Sequence, residues 1–324
     1  MTSNIRLEER DVRVIADGMA FGEVGPYERL RGVVHYQVDP SEPAQAGIVD
    51  LDKAPVNSHG LVEFQGDFLL LRPVEPDRGN RRILFEYCNR GNLRAMQFFN
   101  DGQASNDPID ETASGNGFLM RQGYVMAWCA WQGDLWPGDG RLTLTVPEAT
   151  EDGEPIHGIV RTEFIVDEPG CLSIPLSGHA STRSYPAVDR NTHSAQFSRR
   201  RYPEDQRQMI APSEWSFARI EAGSHSSEHR SGRAVVPSNT HVYLPAGFDT
   251  GWLYELVYTG QNPLVLGLGH VAVRDFVGYL KYGQEDCAGH PNPAGPGIEK
   301  AYCWGRSQAG RVIRELVYAG FNED

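Results

Sequence analysis

No stretch of about 18 consecutive apolar residues occurs anywhere in the chain, and the opening "MTSNIRLEERDVRV" has no apolar segment behind a positive start. Together these two absences predict a soluble cytoplasmic protein with no membrane partner. Positive charge is in deficit: 30 Lys and Arg stand against 43 Asp and Glu, a formal net charge of −13. The summed field of such a chain repels phosphate backbones, and no compact basic stripe offsets it, so nucleic acid is not an expected partner. The only cationic run is "FSRRRYPEDQR" (197–207), whose three consecutive arginines are followed at once by Glu204 and Asp205; it reads as a solvated face. Paired cysteine spacing is missing too. Cys88, Cys129, Cys171, Cys287 and Cys303 show no C-x-x-C, which predicts reduced, structural thiols. No internal repeat is present.

What is there is a chain of 324 residues, 40% hydrophobic and 23% charged, able to bury a large core. One elaborated α/β domain over 1–324 is expected. Residues 1–75 hold β-branched and aromatic runs, "RGVVHYQVDP" (31–40) and "GLVEFQGDFLLLRPV" (60–74), bounded by Gly, Pro and Asp, and predict antiparallel strands. The rhythm then changes. "RRILFEYC" (81–88) ends in the polar loop "NRGN" (89–92), and "GYVMAWCAWQGD" (123–134) follows an intervening helical stretch, an alternation that predicts a mostly parallel sheet. Residues 138–250 combine short strand-like pieces with stretches rich in Ser, Arg, Pro and His, and read as an inserted subdomain or lid. The core is expected to resume at "GWLYELVYTG" (251–260), followed by a helix of about four turns in "PLVLGLGHVAVRDFVGYLKYG" (263–283) and a breaker-rich loop, "CAGHPNPAGPG" (287–297).

The last segment, "AYCWGRSQAGRVIRELVYAGFNED" (301–324), reads as a strand, a sharp turn carrying Ser307, and a helix. In a nucleophile elbow the serine takes a strained conformation, so the residues two before and two after it must be small; Gly305 and Ala309 are, and Gly310 follows. The helix carries Val312, Ile313, Leu316 and Val317 on one side, with Gly320 as a C-terminal cap. Its first turn would aim N–H groups at charge developing beside Ser307. An oxyanion hole needs the N–H after the serine, here Gln308, and a second from the loop after an earlier strand, for which Asn89, Arg90 and Gly91 are the natural source. An ordinary strand–turn–helix with a surface serine is the competing interpretation.

Two other motifs compete for a function. Gly267-Leu268-Gly269-His270-Val271-Ala272 fits the G-x-G-x-x-A dinucleotide fingerprint, but no strand leads into an acid about twenty residues on, and close helix packing explains the glycines better. His225, Glu228 and His229 match H-x-x-E-H, but the surrounding "EAGSHSSEHRSGR" offers no apolar face to dock a helix, so a polar loop is the expectation. Nothing in the sequence ties His179, His193 or His290 to Ser307.

The chain resembles the α/β-hydrolase domain family whose members carry a G-x-S-Q-x-G-R elbow followed by an Arg-containing helix. The resemblance runs through "DGMAFGEVGPYERLRG", "NSHGLVEFQGDFLLLRP", "YCNRGN", "GNGFLMRQGYVMAWCAWQGD", "EWSFAR", "GFDTGWLYELVYTGQNPLVLGLGHVAVRDFVGYL" and "WGRSQAGRVIRELVYAGFNED", which together cover most of the chain. It implies an α/β-hydrolase-like fold, Ser307 as the nucleophile, and Gln308 with Asn89 to Gly91 facing the oxyanion. It places Gly267 to Ala272 in the helix before the elbow strand. The implied activity is hydrolysis of a carboxylic ester or related acyl bond in a small-molecule substrate, with no metal or organic cofactor. Family members continue past the elbow helix, since the triad order is Ser, then acid, then His. After Ser307 this sequence holds only the acids Glu315, Glu323 and Asp324, and no His. The expectation is therefore a chain cut short after the nucleophile helix, with the C-terminal strands, the triad acid and the triad His missing. The alternative to an active hydrolase is a catalytically incompetent fragment or pseudo-hydrolase.

Overall fold

The computed structural model describes residues 5–221 and 234–322. Strand-forming runs with alternating burial open the chain: β1 (Ile5–Val14), β2 (Tyr27–Val38) and β3 (Val62–Pro73). Their inward residues, among them Tyr27, Leu30, Val34, Tyr36, Phe68 and Leu70, are core. β4 (Arg82–Glu86) follows, then the short helices α1 (Ala95–Phe99), α2 (Glu111–Ser114) and α3 (Phe118–Arg121), then β5 (Val125–Cys129) and the two-residue β6 (Leu144–Thr145). All five residues of β5 are buried, the signature of a strand covered on both faces.

The chain divides into two compact units, residues 1–147 with 264–324, and residues 148–263. The second unit holds the strands β7 (Thr150–Glu151), β8 (Glu154–Pro155), β9 (His157–Ile165), β10 (Ser173–Pro175), β11 (Gln196–Arg200), β12 (Gln208–Ile210), β13 (Ala218–Ile220), β14 (Val235–Pro237), β15 (His241–Tyr243) and β16 (Leu253–Gln261). Its largest sheet has the order β12-β11-β16-β9, antiparallel throughout, over a core of Phe164, Phe197, Trp215, Phe248 and Tyr254. Two sequence expectations are corrected here. The bounds of the inserted body are 148–263 rather than 138–250, because "GWLYELVYTG" forms β16 and pairs with β9 and β11 instead of rejoining the first sheet. The arginine run is not simply a solvated face: Arg200 is buried and binds Glu163, while Arg207 and Arg161 clasp Glu255 and hold its carboxyl down at about 2, Arg207 contributing most.

Back in the first unit, α4 (Leu268–Tyr282), β17 (Lys300–Trp304) and α5 (Gln308–Tyr318) complete the described chain. Leu268, Val271, Ala272, Phe276 and Leu280 recur at helical spacing and are buried, with Phe276 against Phe68 of β3 at 5.8 Å. No strand leads into Gly267, and a Cβ on Gly269 would lie 2.0 Å from the Trp131 carbonyl oxygen. Close helix packing, not phosphate binding, therefore accounts for that glycine. The α5 helix ends in a Schellman pair, Phe321 N–H to Leu316 C=O at 3.0 Å and Gly320 N–H to Val317 C=O at 3.3 Å, made possible by Gly320 at φ +78°.

The sheet of this unit runs β1-β2-β3-β5-β4-β17, with β6 beside β3. β1, β2, β3 and β5 are joined antiparallel, as is β6 to β3; β5, β4 and β17 are parallel, connected through helices as parallel crossovers require. The expectation of a mostly parallel sheet is thereby corrected: four of its six strand pairings are antiparallel, because the long N-terminal strands extend the sheet through hairpins and only β4, β5 and β17 are reached by crossovers. With 34% strand and 19% helix, the protein is mixed α/β with a core that is mostly sheet. No helix among the described residues is long and apolar enough to cross a membrane. The five cysteines are free; Cys88 and Cys129 are buried, whereas Cys287 and Cys303 are exposed and so are not the packed thiols expected.

Candidate active site

The parallel strands β4 and β17 deliver their C-terminal ends to one edge of the sheet, which is where ligands gather in sheets of this kind. Tyr87 N–H donates to Trp304 C=O at 2.9 Å and carries the pairing one step past the strands. The chain then turns through Gly305 and Arg306, and Ser307 stands immediately before α5 with φ 59° and ψ −118°. That combination lies outside the helical, extended and left-handed wells of an L-residue and costs about 1–3 kcal/mol. Neighbours hold it there. A Cβ on Gly305 would lie 2.9 Å from the Ala309 carbonyl carbon and 2.9 Å from the Ile313 side chain, and one on Gly310 would lie 3.1 Å from the Gly305 oxygen. Ala309 is fully buried, and its N–H donates to Arg306 C=O at 3.2 Å. Ser307 itself is exposed; its carbonyl accepts Arg311 N–H at 3.2 Å, but its hydroxyl caps none of the helix N–H groups and no described residue hydrogen-bonds that hydroxyl.

The loop after β4 is the second component. Asn89 and Asn92 exchange N–H···O=C bonds of 3.1 Å across a turn whose central residues, Arg90 (φ 50°) and Gly91 (φ 74°), are both left-handed. That is a type I′ turn. Gly91 is obligatory for a second reason, since a Cβ there would meet the Leu142 carbonyl oxygen at 2.6 Å. The Asn92 amide ties down the carbonyls of Asn89 and Arg90 at 3.1 Å each. The Asn89 side chain then reaches across and donates to Arg306 C=O at 3.0 Å, joining this loop to the residue before the serine. Among the described residues, the N–H groups of Arg90, Gly91 and Gln308 have no backbone or side-chain acceptor. The Gln308 side chain contacts Gln132 at 3.5 Å, in the loop after β5, and its Oε1 is buried without a partner.

Sequence reasoning missed the residues that bind this assembly together. Phe98 and Phe99 of α1 pack on Trp304 with ring centroids 5.5 and 5.2 Å away, and the Arg306 guanidinium lies 5.0 Å over the Phe98 ring. Glu86, the last residue of β4, is 1% exposed. Its carboxyl accepts the N–H groups of Arg94 and Ala95 at 2.7 Å each and the Trp128 indole N–H at 2.5 Å. Burial pushes that carboxyl up to about 7, against the opposing pull of the three donors and of the Arg94 charge. The only sequence signal was an acid inside an otherwise apolar run, "ILFEYC".

The other candidates fall elsewhere. His290 pairs with Asp286 at 3.1 Å in the loop after α4, and His179 and His193 lie in the second unit. His270, on the first turn of α4, stacks on Phe321 at 5.0 Å, and burial lowers its proton affinity while the Glu315 charge partly restores it. Glu315 is exposed on α5. His225, Glu228, His229, Glu323 and Asp324 lie outside the described residues. Among the described residues no group of three or more His, Cys, Asp or Glu could hold a metal ion. An exposed, backbone-strained hydroxyl beside free N–H donors can attack an electrophile and stabilise the oxyanion that results. No protein-family model, no curated protein and no solved structure matches the chain.

Proposed function

We propose that the protein is a serine hydrolase on an α/β-hydrolase-like scaffold, cleaving a carboxylic ester or related acyl bond through an acyl-enzyme on Ser307. The observation that carries this reading is the backbone of Ser307, φ 59° and ψ −118°, held between a parallel strand and a helix by small neighbours at 305 and 309. A surface serine in an ordinary turn has no reason to be strained. In the proposed reaction Ser307 Oγ bonds to the acyl carbon as its proton passes to a base, and the carbonyl oxygen becomes an oxyanion. Gln308 N–H and an N–H of the Arg90–Gly91 turn donate to that oxygen. Collapse of the tetrahedral adduct breaks the bond to the alcohol, which leaves with the proton, and water releases the acid.

The base is the open term. A serine hydroxyl without one is a poor nucleophile near neutral pH, and removing the triad His costs on the order of a millionfold by precedent. Because no described residue hydrogen-bonds the Ser307 hydroxyl, a second reading is favoured by that observation: a chain that binds an acyl-like ligand without turning it over. Hydrolysis of 4-nitrophenyl acetate and butyrate by the chain and by Ser307→Ala tests both. Release that depends on Ser307 supports the hydrolase; release equal in the two proteins sinks it; binding without release supports the second reading.

A further inference from the structure

Glu86 is a deeply buried acid of the first unit, and among the described residues every group that hydrogen-bonds its carboxyl is a donor. Three N–H groups from two places converge on one carboxyl: Arg94 and Ala95 at the start of α1, and the Trp128 indole in β5. A helix of five residues such as α1 has almost no intrinsic stability, so its position must come from such anchors. The far side of α1 meets the elbow, through Phe98 and Phe99 on Trp304 and through Arg306 over Phe98. Glu86 is also in register with Trp304 across the β4–β17 pair. The turn of Asn89 to Asn92 lies between Glu86 and Arg94 in sequence, with both of its ends fixed: one by β4, the other by the Glu86 bonds to Arg94 and Ala95.

We propose that Glu86 is the positioning residue of this site: by clamping Arg94 and Ala95 to Trp128 it holds the Asn89–Gly91 turn and the aromatic face of α1 against the Ser307 elbow. The inference rests on the serine-hydrolase reading for its consequence in catalysis, but not for its structural content. Glu86 does not touch the reacting atoms. Its loss would let the second oxyanion donor drift from the first, and displacements of about 1 Å at such donors cost rate far more than affinity.

The test uses the full chain, its Glu86→Gln variant and a fluorophosphonate probe, with Ser307→Ala as control. Gln keeps one acceptor oxygen but presents an NH₂ where the other oxygen stood, so at least one of the three donors loses its partner. The expected result is a kinact for Ser307 lowered about tenfold or more with KI within about twofold, as for removal of oxyanion stabilisation, together with faster amide exchange confined to residues 89–99. Unchanged kinact and unchanged exchange in that segment would overturn the proposal, as would a loss of labelling matched by an equal loss of folded protein. Should the wild-type chain not label at all, the nucleophile reading fails and exchange alone decides the role of Glu86. Should Glu86→Gln not fold, the wild-type exchange decides it: the Arg94 and Ala95 amides are expected to be as protected as those of β4, and free exchange at both contradicts the clamp.

Discussion

Ser307 keeps its strained backbone because Gly305 and Ala309 leave room for nothing else. The contact that a Cβ at 305 would make is with main-chain carbon of Ala309 at 2.9 Å, which cannot rotate away as a side chain could. Gly305→Ala is therefore expected to destabilise the fold by about 1–3 kcal/mol, seen as a lower Tm, and to reduce labelling of Ser307 in the protein that remains folded. Glu86 gives a prediction with a sign. Its carboxyl is raised from 4.5 to about 7 on folding, so the folded chain holds a proton that the unfolded chain has released over that interval. The resulting stability is fully present below about 4.5 and is lost as pH rises through about 7. The Tm of the wild type relative to Glu86→Gln should accordingly fall between pH 5 and pH 7 and level off by about pH 8; a difference independent of pH would show that burial does not raise this carboxyl. Gly305, Ser307 and Ala309 were legible in the sequence, since the elbow is a local rule. Glu86 was not, because its three donors come from residues 94, 95 and 128 and only the fold assembles them.

The elbow helix is a weaker element than its sequence pattern suggested. Val312, Ile313, Leu316 and Val317 do fall on one side of α5, yet Ala309 is its only buried residue, and Val317 and Tyr318 are 57% and 86% exposed. Its C-terminal cap thus carries a larger share of its stability. Gly320 has φ +78° and open space around it, so Gly320→Ala meets no clash but forces alanine into the left-handed region, at a cost of about 1 kcal/mol. Faster amide exchange in the last turn of α5, with the β1–β3 amides unchanged, is the expected readout. Periodicity also predicted α4 correctly as an element of about four turns, because its apolar stripe is long and regular. It misplaced β16 for a physical reason: "GWLYELVYTG" satisfies any buried strand, and only its pairing partners in β9 and β11, 53 to 104 residues away, decide which sheet it joins.

At the scale of the whole molecule the candidate chemistry lies in the first unit alone. Pro147 C=O accepts Val265 N–H at 3.0 Å, so the chain leaves and re-enters that unit at one point. A variant with 148–263 replaced by a short Gly/Ser bridge is therefore expected to keep the β1-β2-β3-β5-β4-β17 sheet and the Ser307 elbow, checked by exchange protection of β2 and β5 and by labelling. The antiparallel start and the parallel β5-β4-β17 part were legible from the switch between alternating and continuous apolar runs, but not their proportion, since the sheet is mainly antiparallel rather than mostly parallel; the boundary of the second unit was not legible either, since it is set by long-range pairing. Fluorophosphonate labelling followed by peptide mapping tests most directly whether Ser307 is the nucleophile. One adduct is expected, on Ser307, and none in Ser307→Ala; an adduct of equal yield in that variant would contradict the assignment of the nucleophile.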